Sequence, residues 1–312
     1  MAFTINREEL MKSGRVILGD WVDNSLKQLE QALQNLETTL GTEGKIVQRG
    51  RVIALRHTDE SRLYSAFKAA LYLGKYDDMD NRERFLSKMV RAHHSYEPIR
   101  GESILFMYIG VGKPVYDHLV TYTVGRPTRI AGGQRANLPW GYEVPVEAKN
   151  PEVYVSRAMP LIQEVVELTR RDADKPSEQL QAARSLLPVG YIMPPFLFEF
   201  SEEALIKNVF RQRLFERGAQ GATVDVVSDM WECCVALDPQ KWETLKDYHG
   251  PNTVAWEKAM RTLRDKGYTF KQVLELAGRE MSVAEMEQTE LYELLMSTVG
   301  KEAPTMWEKM NK

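Results

Sequence analysis

Cysteine is nearly absent from this 312-residue chain. Its two copies, Cys233 and Cys234, are sequence neighbours. Adjacent cysteines cannot brace a fold with a disulfide framework, which points to a reducing compartment. No apolar run reaches the roughly 20 residues of a membrane span, and the opening segment lacks the apolar stretch of a signal peptide. The expected setting is therefore soluble and cytoplasmic, away from membranes. A net charge of −3, from 41 Lys and Arg against 44 Asp and Glu, excludes bulk electrostatic binding of nucleic acid but not a local anion site. There is no Walker loop, no Gly-x-Gly-x-x-Gly following a strand and no Gly-x-Ser-x-Gly, so P-loop, dinucleotide-binding and α/β-hydrolase readings have no support. No His, Cys and carboxylate set has metal-ligand spacing, and no metal site is expected.

What is present is a mixture of helical and strand patterns. Val22, Leu26, Leu29, Leu33, Leu36 and Leu40 form one helical stripe ended by Gly41, too short for a coiled coil and suited to a core-facing helix. Residues 51–57 and 103–111 have strand composition. Thr58-Asp59-Glu60-Ser61 caps a helix running to Leu73. Helices are predicted over 82–92, 114–124, 152–172, 177–187, 202–217 and 222–236. The stretch 191–200 is a strand disturbed by Pro194-Pro195, and the chain beyond Asp238 is charged and helical. The Gly- and Pro-rich stretch 125–141 is predicted to be one long loop, and long loops in compact domains tend to carry function. Few strands separated by helices give an α+β or α/β class.

Two segments concentrate cations. Between His118 and Tyr142 there is no acidic residue, but there are Arg126, Arg129 and Arg135. Gly125, Gly132 and Gly133 let backbone amides approach a ligand there, and the arginine fork suits phosphate. A solvated basic loop at a subunit contact accounts for the same residues. On the helix 202–217, Lys207, Arg211, Arg213 and Arg217 face only Glu216 nearby. Such a cluster fits an anion held between neighbouring faces, or a plain solvated face. His93, His94 and His118 are candidates for ring contacts or proton transfer. The cysteine pair, inside a helix, fits a buried apolar role better than a reactive one.

Taken in order, these segments resemble the flavin-dependent thymidylate synthases, the ThyX family, over roughly residues 50–250. The family's strand ending in His-Thr corresponds to Ala54-Leu55-Arg56-His57-Thr58. Its His-x-Ser-Pro element leading into a strand is represented by His94-Ser95-Tyr96-Glu97-Pro98 and Ile104–Ile109. Its Ala-Arg-x-x-Leu-Pro is matched in full by Ala183-Arg184-Ser185-Leu186-Leu187-Pro188. Its nucleotide-binding arginine before Ala-Gln is represented by Arg213 ahead of Ala219-Gln220, one residue further away than usual. The Arg-His-Arg signature is replaced by Thr121-Tyr122-Thr123, and Gly133 stands where the signature serine belongs.

The resemblance implies an α+β, ThyX-like fold with a central mixed or antiparallel sheet flanked by helices. It implies a core over 51–250, an N-terminal helical extension over 1–50 and a C-terminal one over 251–312. By the same resemblance Arg184 and Arg213 are the catalytic candidates. They bind a pyrimidine nucleotide monophosphate with Arg135, Gln134, Gly133, Gly132 and His118, and Arg211 takes part if the helix register shifts. His94, Thr121, Tyr122, Thr123, Arg126 and Arg129 fall at the cofactor positions. The implied activity is one-carbon transfer to pyrimidine carbon 5 in a homotetramer, with FAD, 5,10-methylenetetrahydrofolate and NADPH. The loss of the signature cations points to a changed reaction, such as hydroxymethylation of dUMP or dCMP. The alternative is a nucleotide-binding relative with a regulatory or structural role. Direct nucleic-acid binding is not expected, because loop 125–136 lacks interleaved aromatics.

Overall fold

The computed structural model describes residues 2–92, 94–125, 128–131, 137–171, 176–216 and 218–265, with 267, 269–276, 278, 290, 293–294 and 297 beyond them. Among these residues the strands form two antiparallel sheets. The smaller joins β1 (Val16–Leu18), β6 (Gly141–Glu143) and β7 (Tyr191–Ile192) in the order β1-β6-β7. The larger joins β2 (Val47–Arg49), β3 (Val52–His57), β4 (Ser103–Tyr108), β5 (Thr128–Ala131) and β8 (Phe196–Ser201) in the order β2-β3-β4-β8-β5. Both sheets and the helices around them make the fold α+β, and every strand pairing is antiparallel.

Period-2 alternation sends side chains to the two faces of the larger sheet. One face carries Ala54, Ile104, Phe106, Tyr108, Phe196, Phe198 and Phe200, all buried in the main core. Tyr108 stacks on Phe196 with ring centroids 4.8 Å apart. Three helices close this face: α6 (Lys113–Val120), α9 (Glu202–Ala204, continued by π-helical Leu205–Phe215) and α10 (Gly221–Leu237). The opposite face, with Ile53 and Met107, packs on α1 (Arg7–Met11) and α2 (Asp23–Leu40). Flanking these are α3 (Leu63–Leu73), α4 (Arg82–Arg84, continued by π-helical Phe85–Val90) and α5 (Glu97–Arg100). Further along come α7 (Pro151–Arg171), α8 (Pro176–Ala183), α11 (Pro239–His249), α12 (Pro251–Asp265) and α13 (Phe270–Leu276). No helix among the described residues is long and apolar enough to cross a membrane.

Several sequence expectations are corrected. The N-terminal fifty residues are not only helical, since they supply β1 to one sheet and β2 to the other. The 125–141 loop contains the edge strand β5, which pairs with β8 from Thr128↔Glu199 to Ala131↔Phe196. The single strand expected over 191–200 is two strands in different sheets, because Pro194-Pro195 cannot supply ladder donors. The α2 stripe is buried at Leu26 and Leu33, but Leu36 and Leu40 are exposed and Glu37 is buried in their place. The Glu37 carboxylate accepts bonds from the Phe3 amide at 2.8 Å and the Gly44 amide at 3.3 Å. Together with Glu30, which accepts from the Ile5 amide at 2.8 Å, it straps the N-terminal arm onto α2.

Candidate functional site

Helix α6 begins at Lys113-Pro114, where proline costs nothing because a first-turn N–H has no helical partner. It ends at Val120, earlier than the sequence pattern suggests. Its C-terminal end presents His118 toward α10 and Tyr122 toward α9. Arg213 on α9 donates from Nε to the Tyr122 hydroxyl at 2.8 Å, with its guanidinium 5.5 Å from the ring centroid. His118 Nδ1 lies 2.7 Å from the hydroxyl of Thr223 in the first turn of α10. The π-helical turn of α9 shifts its register by the extra residue in each i→i+5 bond, and the Arg213 side chain of this helix meets Tyr122.

The electrostatics follow from partial burial and that guanidinium. Loss of solvent, then the nearby Arg213 charge, lower the His118 pKa below its ordinary 6.5, so the imidazole is neutral at pH 7. Burial raises the Tyr122 hydroxyl, with the Arg213 charge and hydrogen bond opposing it. Arg184 lies in the short 3₁₀ turn after α8. Its charge acts on Tyr191, whose hydroxyl burial pushes up to about 12, with Asp117 and Tyr116 of α6 adding to the rise. In the first turn of α10 the Gly221 amide donates to Glu147 at 3.3 Å, and Val146 packs where a side chain at residue 221 would sit.

The structure thus brings together His118, Tyr122 and Arg213, while Arg184 acts on Tyr191. Arg211, four residues after Lys207, is not part of this group. It forms ion pairs with Glu216 at 2.9 Å and with Glu257 of α12. Lys207 pairs with Glu203 at 2.8 Å and lies 4.2 Å over the Tyr96 ring. The expectation that only Glu216 opposes these cations is therefore corrected: Glu203 sits one turn before Lys207 on the same helix, and Glu257 arrives from α12. His94 is exposed and set edge-on to Tyr72 of α3, with centroids 5.2 Å apart. Arg129 is exposed on the edge strand β5. Gly132, Gly133, Gln134, Arg135 and Arg126, along with His93 and Arg217, lie outside the described residues.

The positions of the cofactor signature supply no cation for a flavin's phosphates. Thr121 and Thr123 carry no charge, and the Thr121 hydroxyl donates to the His118 carbonyl at 2.6 Å. Tyr122 is 8% exposed and its hydroxyl is engaged by Arg213. Cys233 and Cys234 are free and buried in α10, and burial pushes the Cys233 thiol up to about 12. They pack as apolar residues and supply no thiolate.

Sequence reasoning missed Thr223 and Tyr191. Thr223 follows the flagged Ala219-Gln220 by three residues, so the pattern was adjacent to it. Also missed was a cavity of about 320 Å³ on the face of α10 away from Thr223, lined in part by Glu9, Arg15, Arg51, Asp225, Asp229 and Glu232. There Arg51, 3% exposed, forms a 2.5 Å ion pair with Glu143, and burial pushes the Asp229 carboxyl up to about 7. These residues come from α1, the segment before β1, the turn between β2 and β3, and α10, and no sequence signal joins them.

No family model and no curated protein matches this chain. Among solved structures, it is similar to the UMP/dUMP methylase PolB from Streptomyces cacaoi bound with 5-Br dUMP, at 16% identity and a TM-score of 0.48. That match covers 64% of this chain and 95% of the other. The same protein bound with 5-Br UMP matches at 15% identity and a TM-score of 0.48, covering 64% of this chain and 94% of the other.

Proposed function

We propose that this protein is a pyrimidine nucleotide carbon-5 one-carbon transferase whose anion-binding centre is Arg213. The observation that carries the reading is the meeting of Arg213 and His118 at the C-terminal end of α6, where Arg213 bonds Tyr122 and its charge acts on His118. These are residues that the ThyX resemblance assigns to the nucleotide. A carbon-5 nucleophile requires negative charge to spread onto the pyrimidine carbonyls, and a fixed guanidinium stabilises that charge. Arg213 is held by Tyr122 in one orientation, so little reorganisation accompanies ligand binding. The neutral His118 imidazole offers one donor and one acceptor at pH 7. Thr223 holds the ring. Arg184, in the turn after α8, is assigned to the nucleotide phosphate.

No step is routed through flavin, because Thr121-Tyr122-Thr123 supplies no charge for it. The co-substrate proposed is methylenetetrahydrofolate. A second reading, a nucleotide-binding protein without catalysis, is favoured by the Tyr122 hydroxyl already bonded to Arg213.

The test combines thermal shifts with dUMP, UMP and dCMP and release of tritium from carbon 5 of labelled nucleotide in the presence of methylenetetrahydrofolate. Ligand binding raises the melting temperature according to affinity and concentration. Nucleotide-dependent stabilisation together with tritium release supports the transferase. Stabilisation without release, in the presence and absence of added flavin, supports the second reading. No stabilisation by any pyrimidine nucleotide refutes both.

A further inference from the structure

The 2.7 Å bond between His118 Nδ1 and the Thr223 hydroxyl has two possible directions. Either Nδ1–H donates to the hydroxyl oxygen, or the hydroxyl donates to an unprotonated Nδ1. Burial decides between them. Thr223 is fully buried in the first turn of α10. Other helical threonines of this fold turn their hydroxyls onto the carbonyl four residues back, Thr169 onto Val165 and Thr244 onto Gln240, both at 2.7 Å. For Thr223 the residue four back is Ala219, which precedes the Gln220 cap and lies outside the helix. Among the described residues its hydroxyl bonds to His118 and to nothing else. Were Nδ1–H the donor, the hydroxyl proton would be buried without an acceptor, a costly arrangement. With the hydroxyl as donor, that proton is satisfied.

The charge state agrees. Nδ1 accepts only from a neutral ring. Loss of solvent and the Arg213 charge, opposed by Asp117, hold the His118 pKa below 6.5, and the positive end of the α10 dipole beside the ring acts in the same direction. A neutral imidazole with an unprotonated Nδ1 carries its proton on Nε2. That nitrogen has no partner among the described residues, and His118 is only partly buried. Arg213 adds further N–H donors. The carboxylates close by are engaged, Asp117 by Lys113 and Glu216 by Arg211. This end of α6 therefore offers donors, which suit acceptor oxygens and not amino groups.

We infer that Thr223 is a positioning residue: its hydroxyl donates to Nδ1, fixes His118 as the Nε2–H tautomer and so provides a hydrogen-bond donor for an acceptor oxygen of the nucleotide. The role toward a nucleotide rests on the pyrimidine-nucleotide reading of this site; the tautomer does not.

Nitrogen-15 NMR of the full chain labelled at histidine, at pH 8 and without nucleotide, reads the tautomer. His118 is identified among the five histidines by the signals lost in His118→Gln. Its Nδ1 should resonate as an unprotonated, hydrogen-bonded nitrogen and its Nε2 as a protonated one. Thr223→Val should move Nδ1 toward the position of an unbonded nitrogen, and Thr223→Ser, which keeps the donor, should restore it. Calorimetry with dUMP should show Kd rising about three- to tenfold in Thr223→Val, the worth of one neutral hydrogen bond, and recovering in Thr223→Ser. The same rise with deoxyuridine places the acceptor oxygen on the nucleoside, and a rise confined to dUMP places it on the phosphate. A protonated Nδ1 in wild type, an unchanged Kd in Thr223→Val, or no recovery in Thr223→Ser each overturns the inference. A wild type that binds no nucleotide refutes the nucleotide reading instead. The wild-type spectrum decides the tautomer in that case, and also if Thr223→Val fails to fold.

Discussion

Lys241 is 1% exposed, on α11, with its ammonium 2.5 Å from Asp59 Oδ2 and 2.5 Å from Glu202 Oε2. Asp59 also accepts bonds from the Ser65 amide, at 3.0 Å, and the Ser65 hydroxyl. It thereby ties the start of α3 to α9 and α11. Burial opposes ionisation of Asp59, but Lys241 and the Ser65 bonds outweigh it and hold the carboxyl below 3.8. Burial dominates at Glu202, which is pushed up to about 7 with the Lys241 charge opposing. Lys241→Met removes the cation shared by both carboxylates. Breaking a buried ion pair on one side costs roughly 3–5 kcal/mol, and that is the loss expected at pH 8.

The pH dependence separates this cause from simple packing loss. Glu202 binds its proton more tightly when folded, so its contribution to wild-type stability grows as pH falls from about 7 toward its ordinary 4.5. The depressed Asp59 acts in the opposite sense, and its contribution is lost as pH falls below 3.8. In the methionine variant Glu202 stays protonated through pH 8, whereas in wild type it ionises near 7. The penalty therefore shrinks by about 1.4 kcal/mol or more between pH 8 and pH 5. Urea unfolding followed by tryptophan fluorescence, with buried Trp242 beside the cluster as a reporter, measures both. Lys241→Met/Glu202→Gln should recover part of the loss, because only one carboxylate then remains. A cost below 1 kcal/mol at pH 8, or a penalty that is flat with pH, refutes the reasoning.

Gly141 has φ +149°, and a methyl there would overlap the Ile17 carbonyl of the paired strand β1. Gly141→Ala is expected to lower the urea midpoint by an amount equivalent to a few kcal/mol. Cys233 and Cys234, fully buried with raised pKa values, should resist a thiol reagent in the native protein and both react once it is unfolded. Arg213→Ala is expected to abolish stabilisation by pyrimidine nucleotides. Tyr122→Phe keeps the ring but frees the guanidinium, and should weaken nucleotide binding by about tenfold, read by calorimetry, if fixed orientation is what Tyr122 supplies. Arg51→Met leaves Glu143 buried beside the Gly112 amide, to which it is bonded at 2.7 Å. It should destabilise the protein by roughly 3–5 kcal/mol at pH 8 in the same unfolding assay.

Local chemistry fixed much of the secondary structure. The α2 stripe, the Gly41 and Gly74 stops, the Asp59 contact with the start of α3 and the Pro114 start of α6 each act within a few residues, so they could be read directly from sequence. The short strands β1, β2, β5 and β6 could not. Three or four residues carry no period, and each exists because a distant strand supplies its hydrogen-bond partners. The cation cluster on α9 shows the same division. Its composition suggested an anion between the side chains, but Glu203, Glu216 and Glu257 neutralise Lys207 and Arg211, and a π-helical register sends Arg213 to Tyr122 instead. The sequence by itself determined which segments are helical, which residues are apolar and where arginine is plentiful. Tertiary structure alone decided which arginine meets Tyr122 beside His118 and which two carboxylates share Lys241. It also decided that the large side chains of α3 point outward. Such choices depend on contacts between residues far apart in the chain, and no local propensity encodes them.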